Sequence, residues 1–538
     1  MKKESYTKSV ENSEAPAVKC YNGVFIGTRK DGVTSFKGIP YAKPPVGERR
    51  WKAPQGVEAS DAVFDATRFG KTAFQKKSDS EQASMNPEGI SEDCLTLNIW
   101  TADLEKKGKP VMFWIHGGAY SYGGTADPLY DGKFLVREHP EIILVSANYR
   151  VGPMGFIDFS GVKGGEDYPT SGYNGILDQI KALKWIQQNI EAFGGDPSNV
   201  TIFGESAGGG SVTELIVAKG TEGLFQHAIA ESGSVNFTMT HERFAEIGAA
   251  DLLLKKTGAS CMDELIAIPE EELYRIYLDE SDGRAFGTLS VLPLRGEDSI
   301  IPADPYQAIL EGKGKDVDLI IGTTADENRY FVDAVCDPAL ASLKGDELAK
   351  MTGIKLAIYE KALPGAKLNR VINMCSEAEK AKLNEFLALY SDEKEIWQRT
   401  ALINEYGFRS PAIQVAYNHA KAGGKGKTYM YYFCKKNTLF DWIGACHASE
   451  LAYVFHNLED EQFSGPVVPR LADQICGAWT SFAKNGIPDY NGVCWPEYSP
   501  EKRETMFFND DATTSVVNDP FPKQRELVEP ILHHYAAL

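Results

Sequence analysis

The 538-residue chain contains no run of eighteen apolar residues, which leaves no sequence pattern for a membrane-spanning helix. Its opening stretch, MKKESYTKSVENSEAPAVKC, starts with lysines but has no apolar segment behind them. No export leader is therefore expected and a cytoplasmic location is, unless a leader has already been removed. Positive charge is in short supply: 56 Lys and Arg stand against 75 Asp and Glu, a net charge of −19. Such a field repels phosphate backbones and anionic lipid, so neither nucleic acid nor a membrane is an expected partner. No C-x-x-C pair occurs among the nine cysteines, Cys20, Cys94, Cys261, Cys336, Cys375, Cys434, Cys446, Cys476 and Cys494. Their odd number and scatter argue against a zinc site or a disulfide framework and for buried free thiols. Repeats, low-complexity tracts and Pro/Gly/Ser-rich linkers are absent too. The expectation is a loose tail over 1–17 and one domain over 18–538.

What is present reads as an α/β protein. Apolar, β-branched runs (VMFWIHGG from Val111, IILVSANYR from Ile142, NVTIFGES from Asn199, VDLIIGTTADE from Val317) alternate with helical patterns. Between the second and third runs, Ile176, Ile180, Leu183, Ile186 and Ile190 recur at helical spacing before a Gly-Gly stop. Strand, helix, strand in this order predicts a mostly parallel sheet covered on both faces. Two stretches rich in Lys, Glu, Leu and Ala, roughly 240–285 and 337–402, read as helical insertions, either shaping a pocket above the sheet or covering its periphery.

The chemistry-bearing stretch is NVTIFGESAGGG, where Gly204-Glu205-Ser206-Ala207-Gly208 fits the G-x-S-x-G elbow. A nucleophilic serine there must stand on a tight turn between strand and helix, so its neighbours must be small. Gly204, Ala207, Gly208 and Gly209 meet that need. Oxyanion donors in this architecture come from a loop after an earlier strand, and His116-Gly117-Gly118-Ala119 supplies one. The backbone N–H groups of Gly118, Ala119 and Ala207 are the expected donors. His116 precedes the serine, whereas the base follows it in this fold, so His116 is read as a brace for the loop. Downstream, Asp326 and Glu327 end a buried strand, and either could be the acid. His227, His241, His419, His447 and His456 all follow the serine, and His447 lies in a loop of small residues before a helix.

In order along the chain, FKGIPYAKPPVGERRWKAPQ, SEDCLTLNIW, FWIHGGAYSYGG, NYRVGPMGF, NGILDQIKALKWIQQNIEAFGGDPSNVTIFGESAGG and SFAKNGIPDYNGVCWPEYS resemble the type B carboxylesterase and cholinesterase family over nearly the whole length. The chain is similar to bacterial carboxylesterases of the p-nitrobenzyl esterase type. The resemblance implies the α/β-hydrolase fold and the triad Ser206, Glu327 and His447. It also implies that Ser232, in AESGS, bonds to Glu327, and that Glu205 and Glu450 stand near the triad as buried electrostatic support. Arg50 and Glu92 match an ion pair that holds the N-terminal segment to the core.

Two departures from the family follow. Cys94 has no disulfide partner upstream, where RFGKTAFQKK offers Ala73, and this agrees with a reducing compartment. Where cholinesterases carry a tryptophan for choline, ASMNPEGISEDC has Met85, so choline esters lose the ring their cation needs. Tyr120, Tyr122, Tyr330 and Trp442 are the expected aromatic lining of the pocket, with core packing as their other reading. The implied activity is hydrolysis of small to medium, largely uncharged hydrophobic or aryl esters through an acyl-enzyme, with no metal and no organic cofactor. A non-catalytic binding protein, a lipase or an amidase are the other readings of the same constellation. A monomer or weak homo-oligomer is expected.

Overall fold

The computed structural model describes residues 15–75, 87–278, 291–334, 371–393, 395–439, 443–461 and 463–536. Strands β1 (Ala17–Cys20), β2 (Gly23–Ile26) and β5 (Val63–Asp65) form a small sheet. β1 begins at Ala17, just inside the stretch expected to be loose. The remaining strands join one large sheet: β3 (Thr28–Lys30), β4 (Val33–Pro40), β6 (Thr96–Thr101), β7 (Lys109–Ile115), β8 (Ile143–Ala147), β9 (Gly195–Glu205), β10 (His227–Glu231), β11 (Asp318–Thr324), β12 (Thr428–Phe433), β13 (Glu504–Phe508) and β14 (Thr514–Asn518). Their order is β3-β4-β6-β8-β7-β9-β10-β11-β12-β13-β14. From β8 through β13 neighbouring strands run parallel, and antiparallel pairs close both edges.

The centre is parallel because its strands are apolar on both sides, and period-two alternation splits them between two cores. Val111, Phe113 and Ile115 of β7, Val145 of β8, Ile202 of β9 and Ile321 of β11 face one cluster. Met112, Trp114, Leu144, Phe203 and Ile320, the residues between, face the other. The helix Asn174–Asn189 covers the first with Ile176, Ile180, Leu183 and Ile186. The helix Pro469–Asn485 covers the second with Leu471, Ile475, Trp479 and Phe482.

Within the first expected insertion, short helices span His241–Ile247, Ala249–Thr257, Met262–Ala267 and Glu270–Leu278. Within the second, helices span Glu377–Ala388 and Glu395–Ile403. Leu383, Phe386 and Leu402 from that stretch pack with Leu527, Val528 and Ile531 near the C-terminus in a third apolar cluster, separate from both cores. The pair Arg50 and Glu92 is buried, its guanidinium held by Nε to one carboxylate oxygen and by Nη2 to the other at 2.9 Å. Arg50 Nη1 also donates to the carbonyls of Leu265, Ile266 and Ile268 at 2.8–3.2 Å. The cation thus ties the N-terminal segment to the carbonyl-rich end of the helix Met262–Ala267, where the helix dipole favours it.

Candidate active site

Four parallel strands deliver the candidate residues to one edge. β9 ends at Glu205 and the helix Ala207–Val217 begins two residues later, with Ser206 between them at φ 58°, ψ −121°. That left-handed backbone is costly for a residue with a Cβ and is held by its surroundings, including a Ser206 N–H bond to Glu231 O at 2.8 Å. Gly204 and Gly208 are dictated by the end of β7. A Cβ at either would stand 2.6 Å or 2.0 Å from the Ile115 carbonyl oxygen.

The loop after β7 carries three successive left-handed residues, Gly118 (φ 108°), Ala119 (φ 52°) and Tyr120 (φ 55°). Their conformation turns the chain back on itself, and Ser121 and Tyr122 N–H both donate to Gly118 O. Among the described residues, no acceptor is hydrogen-bonded to the N–H of Gly118 or Ala119, and Ala207 N–H is a free donor at the first position of its helix. Gly118 and Ala119 line the cleft with Ser206, and Ala207 follows Ser206 directly in the chain. His116 is buried, stacked on Tyr149 at 4.4 Å, with Nδ1 2.8 Å from Gly117 O. Burial pushes its pKa down to about 4, so it is a neutral brace. Gln75, which nothing in the sequence singled out, holds the far end of this loop: its amide accepts from Gly123 N–H and donates to Gly123 O.

The adjacent residues Asp326 and Glu327 divide two tasks. Asp326 points away from Ser206: its carboxylate accepts from Ala445 N–H at 3.0 Å and pairs with Arg329, pinning the loop that carries His447. Glu327 Oε2 lies 2.5 Å from His447 Nδ1, while its Oε1 accepts from Ser232 Oγ at 2.6 Å and from Thr324 N–H at 2.8 Å. Both Glu327 and His447 are almost fully buried. The other histidines are engaged elsewhere: His227 with Asp318, His241 with Asp158, His419 with Thr428 and His456 with Asp473.

His447 Nε2 faces Glu205 Oε1 at 3.0 Å, and no hydrogen bond joins it to Ser206 Oγ. The approach to Glu205 lacks hydrogen-bond alignment, and among the described residues neither atom has a hydrogen-bond partner. Burial, and then the charge of Glu327, push the Glu205 carboxyl well above the usual carboxylate range. Glu450 behaves likewise: burial, then Glu205 and Glu327, raise it to about 8, while its Oε1 takes bonds from Tyr431 OH at 3.1 Å and Ser232 Oγ at 3.4 Å. Glu231, absent from the sequence reading, is also raised by burial and accepts from Trp479 Nε1 at 2.7 Å. Burial thus disfavours the charged form of several carboxyls around Glu327, and Glu327 itself collects three hydrogen bonds.

The cleft encloses about 160 Å³. Tyr122 and Tyr330 line it. Tyr120 does not: its left-handed backbone drives the ring into the core, where its hydroxyl donates to Glu214 Oε1 at 3.1 Å. Trp442 and Met85 lie outside the described residues. Two rings the sequence did not suggest flank His447, Phe331 at 5.1 Å and Phe408 at 5.2 Å between centroids. Phe408 sits on a π-helical turn, Asn404–Arg409, a register that hydrophobic periodicity cannot show. None of the described cysteines is in a disulfide; Cys94 is buried and free. No described helix is long and apolar enough to cross a membrane.

Comparison with known proteins places the chain among esterases. The model of the carboxylesterase family matches residues 14–526. Para-nitrobenzyl esterase of Bacillus subtilis is 36% identical over 524 residues, 94% of this chain and 96% of that one. Acetylcholinesterase of Bungarus fasciatus is 30% identical, over 89% of this chain and 79% of that one. A solved thermophilic PNB esterase superposes with a TM-score of 0.77 at 33% identity, covering 95% of this chain and 99% of its own. A carboxylesterase of Geobacillus stearothermophilus superposes at 0.74 with 32% identity and the same coverage. With likeness running through every strand that builds the cleft, the chain belongs to the carboxylesterase family.

Proposed function

We propose that the protein hydrolyses small to medium, uncharged aryl and alkyl esters by acyl transfer to Ser206. His447 takes the Ser206 proton as the hydroxyl attacks the ester carbonyl, and the N–H groups of Gly118, Ala119 and Ala207 bind the oxygen that becomes negative. Each such donor is worth roughly 3 kcal/mol in the transition state. His447 then protonates the departing alcohol, and water repeats the cycle to release the acid. Glu327 fixes the ring with Nδ1 protonated and balances the imidazolium. The observation that carries this reading is the Glu327–His447 contact beside a left-handed serine on a β9-to-helix turn.

Because Nε2 now faces Glu205, substrate entry must bring Ser206 Oγ onto it, a tightening common when a free site becomes occupied. Glu205, neutral through burial, can stand beside the ring without trapping it as a charged pair. Preference for aryl esters is supported by the rings of Tyr330, Phe331 and Phe408 and by the named activity of the Bacillus relative. The free thiols suit a cytoplasmic setting. The test is a panel of p-nitrophenyl, feruloyl and choline esters of graded acyl length, run beside Ser206→Ala. Activity on uncharged aryl esters that vanishes in the variant supports the proposal, and hydrolysis that survives it overturns the role of Ser206.

A further inference from the structure

Far from the cleft, the C-terminal cluster brings together a cysteine, a glutamate and two histidines from opposite ends of a long sequence interval. Ser376 caps the helix Glu377–Ala388, and Glu379 returns its Oε2 to Ser376 N–H at 2.7 Å and to Ser376 Oγ at 2.8 Å. Its Oε1 is left facing the short helix Leu532–Ala536, with His534 Nε2 at 3.3 Å and His533 Nε2 at 3.7 Å. A donor atom each from Cys375, Glu379 and His534 all fall within 4.8 Å of one another.

A second observation concerns His533. Its Nδ1 is 2.7 Å from the Pro530 carbonyl oxygen, which can only accept, so Nδ1 carries the proton. In the neutral ring Nε2 is then a lone pair 3.7 Å from Glu379 Oε1, a gap in which a metal ion can stand in place of a proton.

We propose that Cys375, Glu379 and His534, with His533 closing in as fourth ligand, form a zinc(II) site that fastens the C-terminal segment to the helix Glu377–Ala388. Thiolate, imidazole and carboxylate are the donors zinc takes in proteins. With Zn–S about 2.3 Å and Zn–N about 2.0 Å, the ligand atoms of a tetrahedral site stand about 3.5 Å apart, so the cluster closes by roughly 1 Å on binding. The Pro530 carbonyl and Ser376 orient His533 and Glu379 in the manner of groups behind metal ligands. Cys375 is 5% exposed whereas the His533 side chain is 64% exposed, which gives a dry thiolate and an entrance from solvent. On binding, the Cys375 S–H bond breaks, an S–Zn bond forms and the proton leaves to water, with no change of oxidation state. The ion would cross-link the two chain segments whose apolar residues form the third cluster, Leu383 and Phe386 on one side and Leu527 and Ile531 on the other.

The test uses the full chain, reduced and stripped with a chelator, then titrated with zinc chloride by calorimetry and with cobalt(II) by absorbance. One zinc per chain, a thiolate-to-cobalt charge-transfer band and a higher melting temperature with zinc are expected. Cys375→Ser removes the band, and Glu379→Gln or His534→Gln weakens zinc binding by at least about tenfold. Failure to bind an equivalent of zinc at micromolar concentration overturns the proposal. So does a band that persists in Cys375→Ser, or a His534→Gln chain that binds like the parent. The His534→Gln arm also covers the case in which Cys375→Ser fails to fold.

Discussion

The protein holds two glutamate–histidine pairs whose chemistry diverges with their surroundings. Glu327 and His447 meet at 2.5 Å at the carboxyl edge of the sheet, with side chains 1% and 5% exposed. Glu379 and His534 meet at 3.3 Å in the C-terminal cluster, 18% and 12% exposed. In the first pair every remaining lone pair of Glu327 Oε1 is claimed by Ser232 and Thr324, and rings wall off the imidazole. That environment favours the tautomer with Nδ1 protonated, which leaves Nε2 free for the proposed role of base. In the second, a thiol and another imidazole stand where a substrate would have to enter, which suits a ligand shell better than proton transfer. In the reading proposed above, the same two residue types serve as an acid–base device or a clamp according to what occupies the third and fourth directions.

The comparison can be broken most severely at the serine the first pair serves. Ser206→Ala is expected to lower ester hydrolysis by on the order of 10⁵- to 10⁶-fold with an unchanged circular dichroism spectrum, since members of such a unit fail together. Glu327→Gln comes next. The amide can no longer balance the imidazolium and invites the wrong tautomer, so kcat is expected to fall by about 10³- to 10⁴-fold. Glu205→Gln at the same edge sharpens the contrast: because burial disfavours the Glu205 anion, its amide should keep kcat within about tenfold at pH 7. A loss as deep as that of Glu327→Gln would show Glu205 to act as an anion.

A stability experiment probes the neutral carboxyls. Glu450 is raised to about 8 in the folded chain and ionises near 4.5 when unfolded. Between those values the folded state holds the extra proton, so stability is fully present below about pH 4.5 and is lost as pH rises through about 8. The loss is on the order of 5 kcal/mol for one such carboxyl. Urea midpoints at pH 5, 7 and 9 should fall with pH, and Glu450→Gln should flatten that fall; a parallel slope in the variant contradicts the assignment. The smallest effect belongs to the other pair. Glu379→Gln should leave p-nitrophenyl ester hydrolysis within about twofold, because the C-terminal pair does not line the cleft.

Much of this was legible from local pattern. The alternation in VMFWIHGG, the Ile176-to-Ile186 spacing and the small residues around Ser206 each follow from contacts a few residues away, so strand, helix and elbow could be read directly. Distances across the chain could not. Tyr120 looked like a pocket ring until its left-handed backbone turned it into the core, and Phe408 reached His447 through a π-helical turn that carries no periodic signature. Gln75 and Glu231 gave no signal because a lone amide and a lone carboxyl are common residues, and only the fold makes them braces.

The sequence by itself determined the α/β order, the G-x-S-x-G turn and, through an ordered set of motifs, the family, since these rest on short-range periodicity and on residues fixed by backbone geometry. Tertiary structure alone decided that the His447 ring rests against Glu205 and that Cys375 has His534 for a neighbour, while the contact of Glu327 with His447 was already implied by the resemblance. The first depends on where strands β9 and β12 set down segments more than a hundred residues apart, the second on the packing of the C-terminal segment in the third apolar cluster. No local rule encodes such separations, because it is packing between distant segments that places them.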